Sequence, residues 1–207
     1  MIDRIRWQGH GSFAIDASPA IQIAPWRVLK RESAPDVILI GHEHYDHCSP
    51  ADVEKIRAEH TVIIGNETVA RIIDGAVILR EWQSISVGRA SITAVPAYSP
   101  SDPRHPPEAR GLGFVISLDY YDIYYVGDSE LVPDMAHLRP DIVLLPIDGY
   151  GRLSLEQALR LVDMMQPRWA IPYNWGGAGE EATQLDAQSF KSQVSGKTEA
   201  ILLPVTQ

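Results

Sequence analysis

Cysteine, basic charge and long hydrophobic runs are all scarce in this sequence, and each shortage excludes a class of protein. The one cysteine, Cys48, rules out an intrachain disulfide, so nothing points to an oxidising compartment. Lysine and arginine number 18 against 27 aspartates and glutamates, which leaves a formal net charge of -9. Binding to a nucleic-acid backbone needs clustered basic residues, and no basic run reverses the balance locally. We therefore expect no nucleic-acid partner.

Apolar runs in this chain are short. None approaches the ~20 residues that span a bilayer, and residues 1–16 lack the apolar core of a signal peptide. We therefore expect a cytoplasmic protein without a membrane segment. An apolar share of 45% over 207 residues can bury a sizeable core, and we expect a single domain over residues 1–207.

Strand-like and helix-like segments alternate along the chain in two similar halves. Alternating or continuous apolar residues predict strands in residues 4–9, 12–17, 35–41, 61–65, 76–82, 85–97, 112–128, 140–148, 168–174 and 200–205. Helical spacing and capping residues predict helices in residues 49–60, 67–74, 154–166 and 186–194. Residues 98–111 are rich in proline and charge, which predicts a long surface loop. The order favours an α/β sandwich of two facing sheets with helices outside.

Metal-ligand residues are concentrated in "IGHEHYDHC", between a buried strand and a helix that Ser49 is expected to cap. Residues two positions apart in a loop point to the same side, so His42 and His44 can converge on one ion. Asp46 and His47 are adjacent and can point at a second position nearby. Imidazole and carboxylate are common ligands of zinc and related metals. The cluster therefore predicts a metal site on this connection.

The motif "HEHYDH" resembles the H-x-H-x-D-H signature of the metallo-β-lactamase superfamily. "WQGHGSFAI" is similar to the "GHASF" opening of the branch that includes ascorbate-6-phosphate lactonase and related metal-dependent hydrolases. "YYVGDS", "PDIVLLPIDG" and "RWAIPYNWGG" resemble later strands of that superfamily, in the same order. This resemblance covers essentially the whole chain and implies a four-layer αββα sandwich of the metallo-β-lactamase type.

The resemblance also implies a set of ligands, with Asp128 as the carboxylate that bridges two metal positions. Two residues depart from the superfamily pattern. Tyr98 stands where many members have histidine, and His105 in the following loop could serve instead. Asn174 stands where the last histidine is expected, and a carboxamide oxygen binds zinc poorly. The candidate metal ligands are therefore His42, His44, Asp46, His47, His105, Asp128 and Asn174.

The activity that the resemblance implies is hydrolysis by a metal-activated water, acting on a small-molecule ester, lactone or phosphoester. The cofactor would be one or two divalent ions, with zinc the first choice and manganese or iron as alternatives. Asp46 would take or orient the proton of the water, and Tyr98 would donate a hydrogen bond to the developing oxyanion. Asp148, at a strand end, is interpreted as a turn residue.

Two other functions stay open from the sequence. Asn174 favours a family member that binds metal but has lost turnover and acts as a binding or regulatory module. A nuclease is weakened by the acidic net charge. The partners expected are a small-molecule substrate and, in a homo-oligomer, further copies of the chain.

Overall fold

The first of two sheets is formed by the N-terminal part of the chain. The computed structural model describes residues 1–29, 33–177 and 182–206. The strands of this sheet are β1 Ile5–Trp7, β2 Phe13–Ile15, β3 Ile21–Ile23, β4 Val37–Ile40, β5 Val62–Gly65 and β6 Val77–Ile78. They lie in sequence order across the sheet, antiparallel from β1 to β3 and parallel from β3 to β6. The first two strands, both predicted, form an antiparallel hairpin.

The second sheet contains the remaining strands. These are β7 Ser84–Val87, β8 Ala90–Pro96, β9 Leu112–Leu118, β10 Tyr121–Tyr125, β11 Ile142–Pro146, β12 Trp169–Tyr173 and β13 Glu199–Ala200. They also lie in sequence order, antiparallel from β7 to β10 and parallel from β10 to β13. The carboxyl ends of β10, β11 and β12 therefore meet at one edge of this sheet.

Helices cover the outer face of each sheet. They are α1 Pro50–Ile56, α2 Glu67–Ile72, α3 Leu155–Met165 and α4 Gln184–Val194. Single-turn 3₁₀ helices span Ile2–Arg4, Pro107–Ala109 and Pro133–His137. The Ser49 side chain accepts a hydrogen bond from the Asp52 N–H, which confirms the predicted cap of α1. None of the helices in the described ranges is long and apolar enough to cross a membrane.

Three apolar layers hold the sheets and helices together. In β4, Leu39 packs between the two sheets, whereas Ile38 packs beneath α1 and α2. In β11, Leu144 faces the other sheet and Val143 faces α3 and α4. Alternate residues of a strand point to opposite faces, so a strand buried on both faces is continuously apolar. This arrangement is the predicted four-layer αββα sandwich.

Some element boundaries differ from the predictions. Helix α1 ends at Ile56 rather than near residue 60, because Arg57 takes an extended conformation. Strand β3 was not predicted, although Ile21-Gln22-Ile23 alternates between apolar and polar residues. Of the predicted strand 200–205, only Ala200 lies in β13, and Val205 forms an isolated bridge to Trp7.

Candidate metal centre

The candidate site lies where several strands end. Asp128 follows β10, Arg152 follows β11 and Asn174 follows β12, and these parallel strands finish at the same edge. The other sheet contributes the segment after β4. There, Gly41 accepts a backbone hydrogen bond of 3.0 Å from Leu112, the first residue of β9. A Cβ at position 41 would collide with the Leu112 carbonyl oxygen, so glycine permits the two sheets to meet beside the site.

Two connecting segments supply the histidines. His42, His44 and His47 lie in the turn between β4 and α1, which is closed by a hydrogen bond of 2.9 Å from the His47 N–H to the His44 carbonyl. His105 lies in the loop between β8 and β9. Its backbone hydrogen bonds stay within this loop: its N–H donates to the Asp102 carbonyl at 3.2 Å, and its carbonyl accepts from the Ser99 N–H at 2.7 Å. The predicted irregular loop is confirmed, but His105 is only 7% exposed and turns inward.

Four side chains converge on one point. His42, His44, His105 and Asp128 each present a ligand atom, and these four atoms all lie within 4.8 Å of one another. His105 Nε2 is 3.1 Å from His44 Nδ1 and 3.3 Å from Asp128 Oδ2. His42 Nε2 is 3.7 Å from the same carboxylate oxygen. Three imidazoles and a carboxylate at this spacing form a ligand set suited to one divalent ion.

Unpartnered polar atoms support the fit of an ion to this set. His42 Nε2 and Asp128 Oδ1 are buried and have no hydrogen-bond partner among the described residues. Most buried polar atoms in proteins are hydrogen-bonded, since leaving one unpaired is costly. A cation bound between the four side chains would satisfy the nitrogen of His42. The residues present therefore fit one metal ion.

Electrostatics favours the ligating forms of His42 and Asp128. Burial lowers the pKa of His42 well below its ordinary value, and the neighbouring His47 lowers it further, so the imidazole is neutral. Burial opposes ionisation of Asp128, but His47, His105 and Arg152 outweigh it and hold the pKa of the carboxyl well below its ordinary value. A neutral imidazole and an ionised carboxylate are the forms that bind metals.

The residues predicted for a second metal position are arranged differently. His47 Nε2 lies 3.3 Å from Asp128 Oδ1, and its Nδ1 lies 3.5 Å from the Tyr125 hydroxyl. Asp46 is half-buried and is not among the four converging donors. Asn174 is 4% exposed. With its amide oriented to satisfy both ends, its nitrogen donates to the His10 carbonyl at 3.3 Å and its oxygen accepts from Arg152 Nε at 3.2 Å.

Arg152 is a residue of the site that sequence reasoning missed. Its Nη1 lies 3.1 Å from Asp128 Oδ2, and its Nε and Nη2 donate to both carboxylate oxygens of Asp148 at 2.5–3.1 Å. Asp148 therefore anchors the guanidinium, a role beyond that of the turn residue we predicted. The sequence feature that could have indicated this pair is an aspartate at a strand end, Asp148, followed four positions later by an arginine.

Comparisons with known proteins identify the family of this chain. A family model described as a beta-lactamase superfamily domain matches residues 4–174. The chain belongs to this family. Its similarity to individual members extends over nearly its whole length. A UPF0173 metal-dependent hydrolase from Archaeoglobus fulgidus is 27% identical over 214 residues, which cover 94% of this chain and 91% of that protein.

Solved structures of this superfamily show the same fold. A protein described as a metal-dependent hydrolase from Parabacteroides distasonis has a TM-score of 0.86 and 26% identity, covering 98% of this chain and 93% of its own. A metallo hydrolase from Ignicoccus hospitalis has a TM-score of 0.79 and 19% identity, covering 98% and 95%. The predicted superfamily and its αββα fold are confirmed. The finer resemblance to the ascorbate-6-phosphate lactonase branch stays a prediction.

Tyr98 is not among the four converging donors. Its hydroxyl donates to Asp134 Oδ2 at 3.0 Å, in the wall of a groove of ≈ 960 Å³. Ala109 and Leu112 line both this groove and the small pocket that contains His42, so the two cavities are neighbours. The catalytic role predicted for Tyr98, like that of Asp46, stays a prediction.

Proposed function

We propose that this chain is a metal-dependent hydrolase that acts on a small-molecule ester, lactone or phosphoester. The observation that carries the proposal is the convergence of His42, His44, His105 and Asp128 within 4.8 Å. The relative from Archaeoglobus fulgidus, similar over 94% of the chain, is named a metal-dependent hydrolase, which supports the same reaction class.

The chemistry divides between the ion and the side chains. Held by His42, His44, His105 and Asp128, a divalent ion would supply an activated water near neutral pH and polarise a carbonyl or phosphoryl oxygen. The three histidines would bind it as neutral ligands, and the Asp128 carboxylate would supply the negative charge that stabilises the cation. The carboxylate of Asp46, two positions after His44, would take or orient the proton of the attacking water. Tyr98 donates to the developing oxyanion, for which its hydroxyl must exchange its bond to Asp134.

The groove beside the centre accounts for the proposed substrate size. Its volume of ≈ 960 Å³ lies within the range of small-molecule sites. Its walls are polar and include Arg71 and Arg110 as well as Glu108. A polar small molecule whose electrophilic centre reaches Leu112, at the border of the two cavities, would bring that centre next to His42. We place this activity in the cytoplasm, as the sequence predicts, with zinc as the first candidate for the ion.

The test combines metal analysis with a substrate screen. Purified wild-type protein and the variants His44→Ala and His60→Ala are reconstituted with Zn²⁺ or Mn²⁺, and bound metal is counted by mass spectrometry. His60 is a matched control because it is solvent-exposed and outside the four donors. The three proteins are then assayed with chromogenic esters, lactones and phosphodiesters. We expect metal and turnover in the wild type and in His60→Ala, and the loss of both in His44→Ala.

The outcomes separate the hydrolase from its alternative. A wild type that retains no metal, or activity that survives in His44→Ala, would refute the proposed centre. Metal retention without turnover on any substrate would favour a binding or regulatory module. The observation that favours this second function is at Asn174. This residue stands in place of the histidine that the resemblance implies, and its oxygen accepts from Arg152 Nε at 3.2 Å.

A further inference from the structure

We propose that this centre holds a single metal ion and that the guanidinium of Arg152 takes the place of the second ion. The inference rests on the proposed metal-dependent function and deepens it. It concerns the half of the site in which the resemblance predicts Asp46, His47, Asn174 and a shared Asp128 as ligands.

Asn174 is engaged by protein groups on both sides of its amide. Its oxygen, the only atom that could bind a cation, accepts from Arg152 Nε at 3.2 Å, and its nitrogen donates to the His10 carbonyl at 3.3 Å. The left-handed conformation of Asn174, with φ of 59°, sets the direction in which the side chain leaves β12. A second ion on this oxygen would lie directly beside the Arg152 guanidinium.

Asp128 is shared between the histidines and Arg152. Its Oδ2 is 3.3 Å from His105 Nε2, 3.7 Å from His42 Nε2 and 3.1 Å from Arg152 Nη1. The carboxylate expected to bridge two ions therefore bridges a three-histidine set and a guanidinium. A second divalent ion on Asp128 would lie against this fixed positive charge in a buried site, where repulsion is poorly screened.

Other contacts prevent Arg152 from moving aside. Arg152 Nη2 donates to Asp148 Oδ2, and the single N–H of Nε is shared between Asp148 and Asn174. The Asp148 side chain is 2% exposed, so displacement of the guanidinium would leave a buried carboxylate unpaired. The loop that carries Arg152 is closed by a hydrogen bond of 3.0 Å from Gly149 to Leu153. The loop of His105 also holds it, because Ser99 Oγ donates to the Gly151 carbonyl. The loop after β8 and the loop after β11 thus hold the guanidinium beside His42, His44 and His105.

The first test is the metal stoichiometry of the wild-type chain. Metal-free protein is titrated with Co²⁺, whose absorption bands report each occupied site, and the bound metal is counted after gel filtration. We expect an endpoint at one ion per chain. An endpoint at two would overturn the inference and leave the proposed function standing. An endpoint at zero would refute the metal centre and the inference together.

The second test restores the expected ligand and removes the guanidinium. The variant Asn174→His should still bind one ion, because Arg152 remains, whereas Asn174→His with Arg152→Ala should bind two. Arg104→Ala is the matched control: Arg104 also lines the small pocket, but it is paired with Asp102, and its variant should bind one ion.

Two results of the variants would contradict the assignment. A second ion in Asn174→His alone would show that Arg152 does not exclude it, and a folded double variant that still binds one ion would show that Arg152 is not the occupant. Circular dichroism checks the fold of each variant. If the double variant does not fold, the inference is tested by the number of ions bound to the wild type and to Asn174→His, each of which should be one.

Discussion

His44 Nδ1 and His105 Nε2 lie 3.1 Å apart although 61 positions separate the two residues in the chain. One belongs to the conspicuous histidine motif after β4 and the other to a proline-rich loop after β8. Two ring nitrogens at this distance can share one proton or one cation. The second arrangement also accounts for the approach of Asp128, which lies 3.3 Å from His105 Nε2. The loop thus completes a ligand set that the motif only begins.

The first prediction concerns His105. Its replacement by alanine should weaken metal affinity by at least about 100-fold, because the loss of groups that merely orient ligands already costs about 10–100-fold. Isothermal titration with Zn²⁺ measures the effect. His137→Ala, at the end of a 3₁₀ helix outside the four donors, should bind as the wild type does. Equal affinities for the two variants would remove His105 from the ligand set.

The sequence predicted three of the four converging side chains together as metal ligands. His42 and His44 follow the apolar strand β4, and Asp128 follows the apolar strand β10. Their positions in the fold can therefore be predicted once these strands are recognised in the sequence. His105 could be named only as a candidate, because the path of a 14-residue loop depends on contacts such as that of Ser99 with Gly151. A local pattern contains no information about these contacts.

Arg152 shows why the other half could not be predicted. A loop arginine is usually solvated, and nothing in "DGYGRLS" indicates which side the guanidinium faces. Its direction depends on the parallel pairing of β10 with β11, which brings Asp128 within 3.1 Å. The fold class, in contrast, followed from the alternation of strand-like and helix-like segments along the chain.

The second prediction is that metal removal destabilises the chain. Binding of an ion to the folded state alone adds about 2.7 kcal/mol at a free concentration 100 times Kd. Thermal unfolding should therefore shift to lower temperature after treatment with a chelator and return on addition of Zn²⁺, in a concentration-dependent way. Mg²⁺ should restore little, since it prefers oxygen ligands. A Tm independent of Zn²⁺ would contradict the four-donor centre.

The third prediction tests the close approach of the two sheets at Gly41. Alanine there forces its Cβ against the Leu112 carbonyl oxygen and should cost about 1–3 kcal/mol, as overpacking does. Because His42 follows directly, metal affinity should fall as well. Urea unfolding and Zn²⁺ titration measure the two effects.

Gly75→Ala is the control for this substitution. Gly75 has φ of 78° and open space around its Cβ position, so alanine should cost about 1–2 kcal/mol of backbone strain and leave metal affinity unchanged. If Gly41→Ala kept full metal affinity, the contact between the sheets would not be what positions the ligands.

The fourth prediction concerns Tyr98. Its replacement by phenylalanine should lower kcat about 100-fold without loss of metal, since this is the usual cost of removing one oxyanion donor. Asp134→Asn provides the comparison, because Asp134 accepts from the same hydroxyl at 3.0 Å. If the two residues only stabilise the wall of the groove, both variants should have equal and small effects on kcat, and the catalytic role of Tyr98 would be rejected.

The fifth prediction is a pH-dependent stability at Asp52, in the first turn of α1. Burial raises the pKa of this carboxyl, but hydrogen bonds from Lys55 at 2.7 Å and from the Arg27 N–H at 2.8 Å outweigh it and hold the pKa below its ordinary 3.8. The ionised form therefore stabilises the folded chain. Asp52→Asn should cost about 1.5–3 kcal/mol at pH 7, the usual range for hydrogen bonds to a charged group.

The sign of the pH effect follows from the direction of this shift. A depressed pKa contributes stability that is complete above the unfolded value of about 3.9 and is lost as the pH falls through the folded value. Urea unfolding at pH 7 and near pH 3 should therefore show the difference between Asp52→Asn and the wild type shrinking at the lower pH. Asp163→Asn is the control, since its ion pair with Lys197 is exposed and should contribute little at either pH. A difference at Asp52 that stayed constant with pH would mean that the carboxyl stabilises α1 without its charge.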